Sequence, residues 1–170
     1  MLNKEIDMWF KMVSRDLNWA AKTDRKITNT ITLPASPQRV FSILADMEQT
    51  PLWFKEIEGG CWNSTQTHCV HAERTVHLDI LSVREIFLAW EEGRRFAFSI
   101  TESTLPLAVS IVEDYRLSPD KNGHTCLEWD VVYQLRWFVV PFNFLVVLIF
   151  GRMFRRAAQG LVEYVSEKSS

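Results

Sequence analysis

Hydrophobic positions recur along this chain in two different periods, and the points where the period changes divide it into elements. Over residues 4–21, Ile6, Trp9, Phe10, Val13, Leu17 and Ala20 fall at helical spacing, with Lys4, Asp7, Lys11 and Arg15 between them. That pattern predicts an amphipathic N-terminal helix, an extension over residues 1–24 ahead of a main domain over 25–170. Ile27, Asn29, Ile31 and Leu33 then alternate with threonines and stop at Pro34, as a half-buried strand does. Ser36 followed by Pro37 is a helix start. Val40, Ile43, Leu44 and Met47 mark the inner face of that helix. Thr50-Pro51 breaks it, and LWFKEI begins a second short helix or turn.

From Gly59-Gly60 to Arg136 the period shortens to two. Strands are expected near 60–63, 68–77, 81–90, 94–103, 107–118 and 124–136, separated by STQT, the region of Asp79, EEGR, the segment before Pro106 and SPDKNG. Short connections make this an antiparallel meander. Pro141 suits the first turn of a helix. From Phe142 to Val165 the apolar positions return to helical spacing, giving a terminal helix of about 26 residues and roughly 39 Å. Its first half is apolar nearly all round, since Phe144, Val147 and Leu148 face away from the main stripe. That half calls for further cover, from the N-terminal helix, a second chain or lipid; protein cover is the reading favoured, with Trp9, Phe10 and Val13 as its candidates.

The run from Trp137 to Phe150 is the most apolar part of the sequence. As a helix it reaches only about 21 Å, against roughly 30 Å of bilayer hydrocarbon, so no transmembrane span is expected. Net charge is −2, which leaves no basic footprint for nucleic acid. Cys61, Cys69 and Cys126 form no CxxC pair and are odd in number, and the N-terminus has no apolar core of a secretory signal; both point to reduced thiols in the cytoplasm. Seven Trp and eleven Phe in 170 residues are many, and aromatics line apolar pockets as well as fill cores.

The stretches ITLPASPQRVFSILADMEQTPLWF and VREIFLAWEEGRRFAFSI, together with the terminal amphipathic helix, resemble the START-like (SRPBCC) helix-grip superfamily, of polyketide cyclase/dehydrase and lipid-transport type. The resemblance covers the chain from about Arg25 onward. It implies an α+β helix-grip fold: a curved seven-stranded antiparallel sheet around the long C-terminal helix, two short helices after the first strand, and a cavity between sheet and helix. It carries no shared catalytic set. Relatives often have a glycine and paired basic residues where this chain reads HAERTV, and Arg74 alone keeps that basic character.

On the concave face of such a sheet, Phe96, Phe98, Ile100, Ile111, Glu113, Tyr115, Trp129 and Tyr133 are the candidate ligand-binding residues, joined by Phe142, Val146, Ile149 and Met153 from the helix. The partners in the VREIFLAW strand stay open, because a one-residue change in the EEGR loop exchanges Ile86/Leu88/Trp90 for Glu85/Phe87/Ala89. Glu113 is a carboxylate on an otherwise apolar face, two residues from Tyr115; it is a candidate acid or hydrogen-bond donor to a ligand, with Tyr115 the second catalytic candidate, and a structural Glu near the sheet edge or paired with an arginine is the alternative. Cys69, His71, Glu73 and His77 share one face of strand 68–77. Same-face neighbours lie about 7 Å apart, too far for a metal site from one strand, so no metal and no cofactor is expected. GxSxG, HExxH and phosphate-loop motifs are absent. The expected partner is an apolar small molecule, such as a lipid, isoprenoid or polyketide-like compound. A cyclase or dehydratase using the same cavity is the alternative, and an interaction module using helix 142–150, toward a second copy or a membrane surface, is a third.

Overall fold

The computed structural model describes residues 8–168. Thirteen elements follow one another: strand β1 (Phe10–Lys11), helix α1 (Leu17–Lys22), β2 (Lys26–Leu33), α2 (Pro37–Ala45), α3 (Thr50–Trp53), β3 (Ile57–Trp62), β4 (Glu73–Leu78), β5 (Ser82–Glu91), β6 (Arg95–Ser103), β7 (Ala108–Pro119), β8 (Thr125–Leu135), a 3-10 turn (Val140–Phe142) and α4 (Asn143–Lys168). Strands β2 to β8 form one antiparallel sheet in the order β2-β8-β7-β6-β5-β4-β3, with β1 added against β6. The sheet curves around α4, which lies across its concave face and packs on β2 and α3. This is the helix-grip arrangement.

Local chemistry places the elements. The Ser36 hydroxyl accepts from the Arg39 amide, and Pro37 fills the first helical turn, so α2 starts where the sequence says it should. In the SPDKNG turn, the Asp120 carboxylate accepts from the amides of Asn122 and His124, and Gly123 takes φ 78°. α4 is 26 residues long. Its inner stripe, Met153, Phe154, Ala157, Ala158, Leu161 and Val165, is buried against an aromatic core that includes Trp53, Phe54, Phe87, Phe96 and Trp129.

Three expectations are corrected. The N-terminal helix is much shorter than 4–21: within the described residues the chain is extended at Phe10–Lys11, and helix begins only at Leu17, capped by Asp16. Residues 4–7 of that expectation lie outside the described residues. The segment takes a strand position because β6 and β7 separate beyond the pair Ser99↔Val112. Unpaired edges there accept backbone bonds, from Met12 to Thr101 and from Val13 to Val109, each 2.8 Å. α1 then lies on the convex back of the sheet, where Ala20 packs with Val112 and Val132.

Second, the strand expected over 68–77 starts at Glu73; His68 to Ala72 form a tight turn in which His68 and His71 have φ 59° and 67°. Third, Trp9, Phe10 and Val13 do not cover the apolar start of α4. Trp9 lies beside the Arg84 guanidinium at 4.4 Å, Phe10 pairs with Ser103, and Val13 is exposed.

Candidate functional site

A cavity of about 130 Å³ lies between the concave face and α4. Its walls follow from strand alternation. β6 contributes Phe96, Phe98 and Ile100; β7 contributes Ile111, Glu113 and Tyr115; β8 contributes Val131, Tyr133 and Leu135. Helix α4 closes it with Val146, Phe150, Met153 and Phe154, α3 adds Trp53, and Met12 reaches in from the N-terminal segment. An apolar cavity of about 150 Å³ takes up benzene, so the space as it stands suits one ring or a short branched chain. A longer ligand has to displace the side chains of Met12, Met47 and Met153, the most pliable part of the lining.

Of the residues expected from the sequence, Phe96, Phe98, Ile100, Ile111, Glu113, Tyr115, Tyr133, Val146 and Met153 line this cavity. The other three are placed elsewhere. Trp129 is fully buried behind the wall, stacked on Tyr115 with ring centroids 4.6 Å apart. Phe142, in the 3-10 turn, and Ile149, on the outer flank of α4, are exposed and do not line the cavity, because α4 turns its Val146–Phe150–Met153 stripe inward instead.

The open choice on β5 is resolved by two bulges. Glu85 pairs with Ile100 and Phe87 with Phe98, but the chain then gains a residue at Leu88, so that Trp90 pairs with Phe96. Glu85, Phe87 and Trp90 therefore all pack on the concave side, two from one expected face and one from the other.

The charged residues of this wall, Arg74, Glu85 and Glu113, form one cluster with Tyr115. Arg74 and Glu85 are cross-strand partners on β4 and β5, and Arg74 Nε donates to Glu85 Oε2 at 2.6 Å. The guanidinium lies near the rings of Phe87, Phe96 and Phe98, with its carbon 4.9, 5.5 and 5.2 Å from their centroids. Arg74 Nη1 is buried and has no hydrogen-bond partner; Trp53 Nε1, on the helical side of the lining, is in the same condition. Glu113 Oε2 accepts from the Tyr115 hydroxyl at 2.9 Å and from Trp129 Nε1 at 3.1 Å. Burial, reinforced by the negative charge of Glu85, pushes the Glu113 carboxyl up from 4.5 to about 7. Burial also raises Glu85, against the opposing pull of Arg74, and raises the Tyr115 phenol, with Glu113 adding to it.

Sequence reasoning passed over Arg74 and Glu85 as site residues. A signal existed: Arg74 is in phase with Val76 and Leu78, which also line the cavity. The set Cys69, His71, Glu73 and His77 does not share a strand face, since Cys69 and His71 belong to the turn before β4. Among the described residues, no group of three or more His, Cys, Asp or Glu side chains is placed to hold a metal ion.

Comparison with known proteins agrees with the fold. The START superfamily protein of Mycobacterium smegmatis superimposes with a TM-score of 0.67 at 17% identity, over 84% of this chain and 97% of that one. The Zhui aromatase/cyclase of Streptomyces sp. R1128 gives a TM-score of 0.71 at 14% identity, over 86% of this chain and 96% of that one. At these identities the likeness shows a shared fold. An uncharacterized protein of Mycobacterium tuberculosis is 27% identical over 142 residues, 82% of this chain and 84% of its own length. The sequence pattern described as polyketide cyclase/dehydrase and lipid transport matches residues 24–166, and the chain belongs to that family.

Proposed function

We propose that the protein binds a hydrophobic small molecule, of lipid, isoprenoid or polyketide-like type, between the sheet and α4, with an uncharged oxygen of the ligand seated against Arg74. The observation that carries this reading is the buried Arg74 Nη1 without an acceptor, on a residue that lines a mostly apolar cavity. A buried donor on a charged group left unbonded costs about 1–3 kcal/mol or more, and a ligand oxygen removes that cost on binding. The ligand's oxygen is uncharged because Glu85 already balances Arg74 and Glu113 stands near both, so a carboxylate would bring further negative charge to a dry site. Apolar surface supplies the affinity and Arg74 supplies the orientation.

The ionisation of Glu113 near neutrality favours a second reading, a cyclase or dehydratase in which this carboxyl moves a proton on the bound molecule. The free thiols Cys61, Cys69 and Cys126 support a reducing, cytoplasmic setting for either.

The test is native mass spectrometry of gently purified protein, organic extraction of what it carries, and titration of that compound. Arg74→Met should weaken binding about tenfold to a hundredfold, the worth of a hydrogen bond to a charged group. Glu113→Gln should bind nearly as tightly as the wild type. Turnover of the compound by wild type and not by Glu113→Gln would establish the enzyme reading. A ligand that is a carboxylate, or one whose affinity ignores Arg74, would overturn the seat proposed for its oxygen.

A further inference from the structure

We propose that the 3-10 turn and the first half of α4 form a docking face for an anionic lipid bilayer. The surface argument stands on its own; its value to the protein rests on the reading of the cavity as a site for an apolar cargo.

The exposed apolar residues are concentrated here. Trp137 is 84% exposed and Phe144 66%, and Phe138, Phe142, Val147 and Leu148 are exposed with them. At about 100° per residue, Phe144, Val147 and Leu148 share one face of α4 with Arg152 and Arg155, both exposed. The order along that face is apolar first, cationic next, with the two groups about 11 Å apart along the axis. That offset matches a helix whose apolar turns enter the acyl boundary while arginines stay at the phosphates. An exposed Trp at the same end is the residue favoured at that depth.

Charge selects the occupant. Between Asp130 and Glu163 the chain carries Arg136, Arg152, Arg155 and Arg156 and no acidic residue, in a protein of net charge −2. Arg156 is engaged by Glu56, and Arg136 donates to the Lys11 carbonyl. Arg152 and Arg155 are left at the rim of the apolar patch. A second copy of this chain set on the patch would face those arginines with its own, whereas anionic headgroups neutralise them at no such penalty. No helix among the described residues is long and apolar enough to cross a membrane, so the contact is with the surface.

The patch also shares its helical turns with the cavity wall. Val146 and Phe150, on the opposite side of the same helical turns, are part of the lining, as is the partly exposed Leu105. A bilayer seated on the outer face would therefore touch the same turns that close the cavity, which is where an apolar cargo has the shortest path out of water.

The experiment is flotation of the full chain with vesicles of phosphatidylcholine alone and of phosphatidylcholine mixed with phosphatidylglycerol, alongside sedimentation velocity and uptake of the neutral dye Nile red. Flotation should require the anionic lipid and weaken as salt rises. Arg152→Gln with Arg155→Gln should lower partitioning roughly thirty-fold, and Phe144→Glu with Leu148→Glu should abolish it, while both variants keep Nile red uptake. Equal flotation with both vesicles, or flotation with neither, overturns the proposal whatever the dye does. A wild-type dimer that becomes monomeric in Phe144→Glu/Leu148→Glu, without vesicle binding, assigns the face to a second copy. Vesicle binding without Nile red uptake in the wild type would leave docking standing and remove the cavity reading.

Discussion

Arg74 and Glu85 oppose one another across β4 and β5, joined through Nε and Oε2 at 2.6 Å, with both side chains buried and the guanidinium Nη1 without a hydrogen-bond partner. An ion pair this deep adds little net stability, because desolvation of both charges offsets their attraction. Three phenylalanine rings around the guanidinium recover part of that loss. On the proposed reading of the cavity, the pair serves a ligand more than the stability of the fold.

Breaking the pair should show this asymmetry. Arg74→Met leaves Glu85 buried without its cation and should destabilise the protein by about 3–5 kcal/mol at neutral pH. The deficit should shrink on acidification, as Glu85, already raised by burial, takes up a proton. Arg74→Met combined with Glu85→Leu should recover most of the loss. Urea denaturation of the two single variants and the double one provides the cycle; additive losses would mean that the two side chains do not act as a pair.

Glu113 should give the protein a distinctive pH profile. Its folded value of about 7 lies above its ordinary 4.5, so between those values the folded state holds a proton that the unfolded chain has released. Stability therefore falls as pH rises through that window, by about 3 kcal/mol in total, and this contribution is flat above it. Glu113→Gln can still accept from Tyr115 and Trp129 but cannot ionise. Its stability relative to wild type should rise across pH 4.5 to 7 and then level off. A constant difference between the two proteins would mean that Glu113 titrates normally.

How much of this was legible in the sequence depended on whether local signals and tertiary context agreed. β2, α2 and α4 have periodic apolar faces and ordinary caps, and they lie where the pattern puts them. Glu113 was visible because it is a lone carboxylate on an otherwise apolar strand face, although a place at the sheet edge or an arginine partner would explain such a residue as well. Arg74 was not, because the turn before β4 is made by two histidines in a left-handed conformation, with no Gly or Asn at those positions to announce it. Reading Cys69 to His77 as one strand drew attention to the wrong face. The Leu88 bulge likewise has no sequence marker, and it alone lets Phe87 and Trp90 meet on one side, their rings 5.0 Å apart. At the N-terminus the helical period is real, but free backbone groups on β6 and β7 outweigh it.

The two glycines of α4 should respond oppositely to alanine. A Cβ at Gly151 meets nothing within 4 Å, so Gly151→Ala should stabilise the helix by about 0.5–1 kcal/mol through propensity alone. A Cβ at Gly160 would lie 2.3 Å from the Trp53 carbonyl oxygen, a backbone atom that cannot swing aside. Gly160→Ala should force α4 away from α3 and destabilise by about 1–3 kcal/mol despite the same propensity gain. Thermal melts of the two variants decide it; similar shifts would mean that α3 and α4 are not in contact as described.

The N-terminal segment should behave as part of the sheet. Its backbone fills the gap between the diverging ends of β6 and β7, through Met12 to Thr101 and Val13 to Val109, and the Arg15 amide donates to the Ser99 hydroxyl at 3.0 Å. Met12 also closes that side of the cavity. Deleting residues 1–14 removes the first two bonds, the β1–β6 pairing, the Lys11 carbonyl that accepts from Arg136 and the half-buried Met12 side chain together, for an expected loss of at least about 3 kcal/mol at about 1 kcal/mol per bond plus the methionine. Met12→Ala should lose only the side-chain share and leave the strand pairing in place. Amide exchange over residues 100–110 separates the two effects: it should quicken strongly in the deletion and little in Met12→Ala. Unchanged exchange in the deletion would mean that β6 and β7 close on each other without the segment, and that the cavity owes nothing to it.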